Sequence, residues 1–147
     1  MSKVIEIAKS QIGVSENPKG SNSGKEVNEY LKSVGINFPA PWCMAFVYWC
    51  FKQAGVVGLA KTGGVMDMWN KCKQYQIVNQ PPQAGDILIM DYGKGLGHTG
   101  IVIAYKEGVI TTVEGNTNSD HSRDGYLVCQ HERFANNPKI KGYLRLV

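Results

Sequence analysis

The chain contains, in order, a cysteine, a histidine and two polar residues, which are types that can act together in nucleophilic catalysis. Cys43 follows Pro39, Pro41 and Trp42 and opens the apolar segment CMAFVYWCF. If this segment is a helix, unpaired backbone N–H groups and the helix dipole at its start favour the nucleophilic thiolate of Cys43. Cys50, two turns further in, lacks that advantage. A lone cysteine in an apolar segment is also commonly a small buried hydrophobe, and position alone does not decide between the two.

His98 is the histidine best placed to act as a base. It lies in GLGHTGIVIAY, at the start of a predicted strand, beside glycines that let another group approach closely. His121 lies in a polar stretch and His131 among charged residues, and neither has such glycines nearby. Histidines at strand entrances are more often packed or surface residues than bases, so the setting of His98 is an indication only.

Glu114 and Asn116 lie in the segment TTVEGN and could orient an imidazole. Side chains alternate along a strand, so the two point the same way if the extended conformation continues through Gly115. A carboxylate or a side-chain amide can fix the tautomer and orientation of a catalytic histidine. Taken alone, this short segment is more typical of a solvated strand end than of a catalytic site.

The segments PWCMAFVYWCF, AGDILIMD, GHTGIVI and VEGNT, in this order, resemble the CHAP family. Its members are the cysteine, histidine-dependent amidohydrolases/peptidases of bacterial cell walls and phage lysins. The resemblance extends from about residue 16 onward. It implies that Cys43 is the nucleophile, that His98 is the general base and acid, and that Glu114 and Asn116 orient and polarise His98. It also implies a papain-like fold and peptidoglycan as substrate, cut between N-acetylmuramic acid and L-alanine or within the stem peptide and cross-bridge.

Further expectations concern the substrate groove and metals. We expect Trp42, Tyr92 and the loop around Asn22 to line the groove, although packing is an equally good role for Trp42. Some family members have an aspartate-rich calcium loop before the cysteine, but residues 17–41 contain no Asp. We therefore expect no metal and no other cofactor. The four cysteines are irregularly spaced and contain no CxxC pair, which is typical of reduced thiols.

Three other functions are compatible with these residues. The same cysteine chemistry could act on a small amide such as a glutathionyl-polyamine conjugate, since related domains do so. The chain could also be a non-catalytic wall-binding protein, or a structural protein of a phage particle, that kept the fold. A zinc hydrolase is the weakest alternative, because the three histidines form no short ligand motif.

The elements that must position these residues are helices first and strands afterwards. Apolar periodicity predicts helices over residues 2–12, 25–34, 43–55 and 65–74, the third of them apolar on nearly all sides and therefore buried. The polar residues 15–24 predict an exposed loop. After two prolines, β-branched runs predict five strands: DILIMD, HTGIVIAY, GVITTVEGN, GYLVCQHE and KGYLRLV. This order predicts an α+β, papain-like fold with N-terminal helices packed on an antiparallel sheet.

Length and charge limit the class of protein. A chain of 147 residues with 43% hydrophobic residues predicts a single catalytic domain over residues 1–147. The formal charge of +4 comes from basic residues spread singly along the chain, which argues against specific nucleic-acid binding. A mild positive charge still favours attraction to anionic polymers such as bacterial wall glycopolymers.

The N-terminus predicts how the protein reaches its substrate. MSKVIEIAKSQIG mixes charged and apolar residues, and no stretch of the chain is long and apolar enough for a signal peptide or a transmembrane segment. We therefore expect a monomer that is made in the cytoplasm without a leader and acts on the wall after release or export. A holin, an injection device or a secretion system would have to release it, and an inhibitor or export partner could accompany it.

Overall fold

The computed structural model describes residues 2–117 and 125–147, which form helices followed by one antiparallel sheet. The helices are α1 (Lys3–Ser10), α2 (Lys25–Ser33), α3 (Cys43–Gln53) and α4 (Val65–Lys71), and a short 3-10 helix (Lys73–Tyr75) follows α4. The strands are β1 (Gln76–Ile77), β2 (Ile87–Gly93), β3 (Leu96–Lys106), β4 (Val109–Thr117), β5 (Leu127–Phe134) and β6 (Ile140–Leu144). The predicted α+β, papain-like class is confirmed.

The helix ends follow their local sequence, with shorter helices than predicted. The Ser2 hydroxyl accepts a hydrogen bond from the Ile5 N–H at 3.4 Å and caps α1. The helix predicted to end at residue 74 ends at Lys71, and the chain continues as the 3-10 helix. Because i and i+3 side chains align in a 3-10 helix too, the apolar spacing does not distinguish the two.

All five predicted strands are present, and the sheet order is β1-β6-β2-β3-β4-β5. The two-residue strand β1, which pairs with β6, was missed because it is too short to show a pattern. Met90 of β2 lies directly opposite His98 of β3, and Ile101 of β3 lies opposite Val113 of β4. The central strands therefore carry the segments that the sequence singled out.

Helix α3 is the centre of the core, as its apolar character predicted. Its buried side chains surround the helix: Cys43, Met44, Ala45, Phe46, Val47, Cys50 and Phe51. Gly115 of β4 faces the beginning of α3, where an added Cβ would lie 2.8 Å from Trp42 and 2.9 Å from Phe46. The missing side chain lets β4 lie directly against the start of α3. A second, smaller cluster lies on other strand residues: Leu88, Met90, Val102, Ile110 and Tyr143.

The loop between α1 and α2 is exposed over residues 17–20, as predicted, but its Glu16 is buried. Its backbone is tied to the far edge of the sheet, because Ser15 forms a bridge with Leu127 and the Glu16 N–H donates to the Tyr126 carbonyl at 2.8 Å. The Glu16 side chain is only 4% exposed. A glutamate in a polar stretch is expected to be solvated. The burial of Glu16 depends instead on a partner elsewhere in the chain. Across the described residues, we find no helix with the length and apolarity that a membrane crossing requires.

Candidate active site

Cys43 is the first residue of α3 and is 8% exposed. The first N–H groups of a helix have no carbonyl partner within that helix. The Cys43 backbone N–H and thiol therefore lie at the positive end of the α3 dipole. Trp42 occupies the N-cap position, with an irregular backbone (φ −127°, ψ 15°) that turns the chain from the preceding loop into the helix.

His98 of β3 lies between Cys43 and Glu114 and is 2% exposed. Its Nε2 is 2.7 Å from Glu114 Oε1. Because an ionised carboxylate only accepts, Nε2 carries the proton of this bond and Nδ1 is the nitrogen left for the Cys43 thiol. Burial alone would lower the pKa of His98, but hydrogen bonds with Cys43 and Glu114 outweigh it and raise the pKa to about 9. The imidazolium form is therefore favoured at neutral pH.

Glu114 of β4 is fully buried, and its carboxylate accepts four hydrogen bonds. Oε1 accepts from His98 Nε2 at 2.7 Å and from Arg133 Nη2 at 2.7 Å. Oε2 accepts from Thr112 Oγ1 at 2.6 Å and from Arg133 Nε at 2.6 Å. Burial would raise the pKa of Glu114, but the bonds from Arg133 and His98 prevail and hold it well below its usual range.

Arg133 and Thr112 were missed by the sequence analysis. Arg133 is one of the charged residues around His131, yet it is 9% exposed and forms a two-pronged ion pair with Glu114. The available signal was alternation along β5, where His131 and Arg133 are buried and Glu132 is exposed. Alternation alone, however, does not identify the partner of a buried arginine.

Asn116 does not have the predicted role of orienting His98. Its Oδ1 accepts from the Trp42 backbone N–H at 2.8 Å, and its Nδ2 donates to the Gly125 carbonyl at 2.6 Å. The predicted alternation breaks because Asn116 has a left-handed backbone (φ 56°) within a register shift between Glu114 and Thr117. Asn116 therefore holds the start of α3, one residue before Cys43, whereas Glu114 holds the imidazole.

The three predicted substrate-lining residues occupy different places. Trp42 is 0% exposed; its ring stacks on Tyr30, and its indole N–H donates to Glu16 Oε2 at 2.7 Å. The expectation that Trp42 lines the groove is wrong for this reason, and packing is its role. Asn22 lies in the loop before α2 with a left-handed backbone (φ 53°). Tyr92 packs beside the smaller cluster and acts electrostatically on Arg133, and its role in a substrate groove stays a prediction.

Of the remaining cysteines, Cys129 lies opposite Glu114 in the sheet. All four cysteines are free thiols, with Cys50 and Cys72 buried. The thiol of Cys129 is 3.4 Å from His131 Nε2, which also lies 2.8 Å from Thr117 Oγ1. His121 lies outside the described residues. Within the described ranges, no group of three His, Cys, Asp or Glu side chains could hold a metal ion.

Comparison with solved structures identifies the fold. The structure entitled "The crystal structure of Ly7917" has 17% sequence identity and a TM-score of 0.59, covering 98% of this chain and 61% of that one. The endolysin LysIME-EF1 has 17% identity and a TM-score of 0.57, covering 99% and 64%. The chain thus spans less than two thirds of the length of each. No curated protein matches it.

Comparison with protein families identifies the sequence. A family model described as "CHAP domain" matches residues 35–116, which is more than half of the chain. The matched segment contains Cys43, His98, Glu114 and Asn116, and ends at the last of these. The fold, the residue order and this match agree, and the chain therefore belongs to the CHAP family.

Proposed function

We propose that the chain is a peptidoglycan hydrolase that cleaves an amide bond with Cys43 as nucleophile and His98 as general base and acid. The observation that carries this proposal is the position of His98 between the Cys43 thiol and the Glu114 carboxylate. Membership of the CHAP family supports the substrate class. The similarity of its fold to that of an endolysin is consistent with it.

The reaction begins with a thiolate and an imidazolium. The Cys43 sulfur attacks the amide carbonyl carbon, and the proton on His98 Nδ1 passes to the departing amine as the C–N bond breaks. The acyl group is then held as a thioester on Cys43. Neutral His98 takes a proton from water, the hydroxide attacks the thioester, and the acid product leaves as the thiolate forms again. Glu114 keeps the other ring nitrogen protonated and the imidazole in place.

The start of α3 supplies electrostatic stabilisation to the tetrahedral intermediates. The Cys43 backbone N–H lies at the helix start, where it can donate to the oxyanion. Asn116 accepts from the neighbouring Trp42 N–H and thereby fixes the direction of this part of the chain. Removing one oxyanion donor from an acyl-transfer enzyme costs roughly 100- to 1,000-fold in kcat, so this alignment has a large expected effect.

We further propose that residues 1–147 act as one monomeric catalytic domain with the bacterial wall as partner. The core supports this, since Val4 of α1, Phe46 of α3 and Leu144 of β6 belong to one buried cluster. The net charge of +4 favours attraction to anionic wall polymers. The protein would act on the wall after its release or export.

Clearing of purified cell walls tests the function directly. We expect Cys43→Ala and Cys43→Ser to abolish clearing while circular dichroism shows an unchanged fold. Cys50→Ala is the matched control, because Cys50 lies on the same helix but is fully buried. Clearing by a folded Cys43→Ala variant would refute the assignment. Mass spectrometry of the released fragments then identifies which amide bond is cut. Hydrolysis frees the amine of the residue that follows the cleaved bond.

Thiol alkylation separates a catalytic domain from one that has lost turnover. Iodoacetamide reacts with thiolates, so we expect Cys43 to be modified much faster than Cys50 at neutral pH. Burial raises the pKa of the Cys50 thiol well above its usual value. Equal, slow modification of the two would argue for a non-catalytic wall-binding protein. Cleavage of a glutathionyl amide without clearing of cell walls would instead identify a small-molecule amidase.

A further inference from the structure

We propose that Arg133, together with Thr112, is a positioning residue that keeps the Glu114 carboxylate ionised and turned toward His98. The proton on His98 Nε2 then stays on the imidazole throughout the reaction. This inference rests on the proposed hydrolase function. Arg133 lies beyond the segment that the family model matches.

The contacts to Glu114 leave no freedom of orientation. Arg133 binds it with two prongs, Nε to Oε2 at 2.6 Å and Nη2 to Oε1 at 2.7 Å. Thr112 donates to Oε2 at 2.6 Å, and His98 donates to Oε1 at 2.7 Å. A carboxylate has about four lone-pair sites, and these four bonds fill them. Rotation of the carboxylate about its terminal bond would break the two-pronged pair.

The same contacts prevent Glu114 from taking a proton. A fully buried carboxyl group with no partner would be favoured in its neutral form. Here every acceptor position faces a donor, so a proton on either oxygen would displace an existing hydrogen bond. The charge of Arg133 also compensates the cost of burying the carboxylate. Glu114 therefore remains an acceptor for His98 and does not compete for its proton.

Arg133 also makes the buried charges balance at each stage. With the thiolate and imidazolium present, Cys43 and Glu114 are negative while His98 and Arg133 are positive. After acyl transfer Cys43 and His98 are both neutral, and Glu114 and Arg133 still cancel. Without Arg133 the group would carry one uncompensated negative charge in both states, which is costly in a buried site.

The register of the sheet explains how Arg133 reaches this position. Arg133 of β5 lies directly opposite Ile110 of β4. Thr112 and Glu114 follow at two and four residues along β4, so their side chains leave the same face of the sheet as Arg133. A long arginine side chain can span that distance along the strand and approach the carboxylate with its planar fork.

The chain contains a matched arginine–carboxylate pair for comparison. Arg145 binds Asp86 with two prongs at 2.8 and 2.9 Å, and Asp86 is fully buried. Asp86 directly precedes β2 and lies four residues before Met90, which pairs with His98. Loss of Arg145 removes the same kind of ion pair without touching His98, so it reports what a merely structural pair contributes.

The test measures kinetics and the His98 Nε2–H proton in the same variants. Solubilised peptidoglycan fragments give kcat and KM, and ¹H NMR follows the strongly hydrogen-bonded ring proton downfield of the amides. We expect Arg133→Gln to lower kcat about tenfold or more with little change in KM, and to shift or remove the proton signal. Arg133→Lys should be intermediate, because lysine keeps the charge without the fork. Arg145→Gln should change neither readout.

Unchanged kcat and an unchanged proton signal in folded Arg133→Gln would overturn the inference. If that variant does not fold, Thr112→Val and Arg133→Lys decide the matter. Wild-type behaviour of both variants in both readouts would equally overturn it. The NMR signal requires no substrate, so it tests the positioning even if peptidoglycan is not cleaved. Failure of the proposed function is instead seen as wall clearing by Cys43→Ala, or as no clearing by the wild type.

Discussion

The side chain of Glu114 fills the space that a Cβ on Gly100 would occupy. Gly100 lies on β3 two residues after His98, and Glu114 lies on the neighbouring strand β4. An added Cβ at Gly100 would collide with Glu114 Cγ and lie 3.2 Å from Cδ. The absence of a side chain at Gly100 therefore allows the carboxylate to approach the His98 ring.

Replacing Gly100 should disturb the active site more than the fold. We expect Gly100→Ala to push the Glu114 side chain away from His98, lower the rate of wall clearing at least about tenfold, and destabilise the protein by about 1–3 kcal/mol. Clearing assays and thermal melts measure the two effects. Gly63→Ala is the control, because its Cβ would meet only side-chain ends, Ile36 Cδ1 at 2.9 Å and Val34 Cγ2 at 3.4 Å. A wild-type rate in Gly100→Ala would show that the position of Glu114 is not critical.

The activity should decline at alkaline pH as His98 loses its proton. The pKa of His98 is raised to about 9, so the imidazolium is present below that pH and is lost above it. We expect kcat/KM to fall above about pH 9. Glu114→Gln removes the carboxylate charge that raises this pKa. The kcat/KM of this variant should therefore begin to fall at a lower pH than that of the wild type. A fall at the same pH in both proteins would contradict the electrostatic role of Glu114.

The free energy of unfolding should also depend on the protonation of His98. A histidine pKa raised from 6.5 to about 9 on folding contributes stability fully below pH 6.5 and loses it as pH rises through 9. At about 1.4 kcal/mol per pH unit, the loss between these values is about 3 kcal/mol. Urea denaturation at pH 6 and pH 9.5 measures it, with His98→Gln as the control that should lack this part of the pH dependence.

Asn116 should affect the nucleophile without affecting the imidazole. Asn116→Ala leaves the buried Trp42 N–H without its acceptor, at a cost of about 1–3 kcal/mol, and loosens the start of α3. Asn116→Asp keeps the acceptor and tolerates the left-handed backbone, so it should be less harmful. We expect kcat to be highest in the wild type, lower in Asn116→Asp and lowest in Asn116→Ala. The alkaline limb of the pH–activity profile should stay at the wild-type pH. A shifted limb would indicate that Asn116 orients His98 after all.

Glu16 should stabilise the segment before the nucleophile. Its carboxylate accepts from the Trp42 indole N–H at 2.7 Å and from the Gly20 N–H at 2.8 Å. Glu16→Ala leaves both donors without this partner, so we expect a loss of about 1–3 kcal/mol and lower activity. Glu29→Ala, at an exposed position of α2, is the control. Equal thermal stability of the two variants would mean that water replaces the carboxylate without cost.

The parts of the site that follow element patterns could be predicted from the sequence. An all-round apolar segment places Cys43 at the start of a core helix, and β-branched runs place His98 and Glu114 on adjacent strands. The prediction for Asn116 was wrong because it assumed an unbroken strand, whereas its left-handed backbone (φ 56°) turns the amide toward Trp42. Asparagine tolerates that conformation better than most residues, so its identity was a signal that was missed.

The partners within the site depend on register, which the sequence does not contain. Arg133 reaches Glu114 because β5 pairs with β4 so that Ile110 faces Arg133. A shift of one residue would have placed the guanidinium on the other face of the sheet. Glu16 is a similar case, because its burial is explained only by the Trp42 indole, 26 positions away in the chain.

Trp42 is held by two hydrogen bonds: its backbone N–H donates to Asn116, and its indole N–H donates to Glu16. The contact with Asn116 requires the fourth strand to be in place, and the contact with Glu16 requires the loop between α1 and α2, so the two exist together only in the folded chain. The alignment of the neighbouring Cys43 sulfur therefore depends on two segments that lie far from it in the sequence. A nascent or partly unfolded polypeptide would carry the thiol without its catalytic setting, and bond cleavage would be confined to the finished molecule.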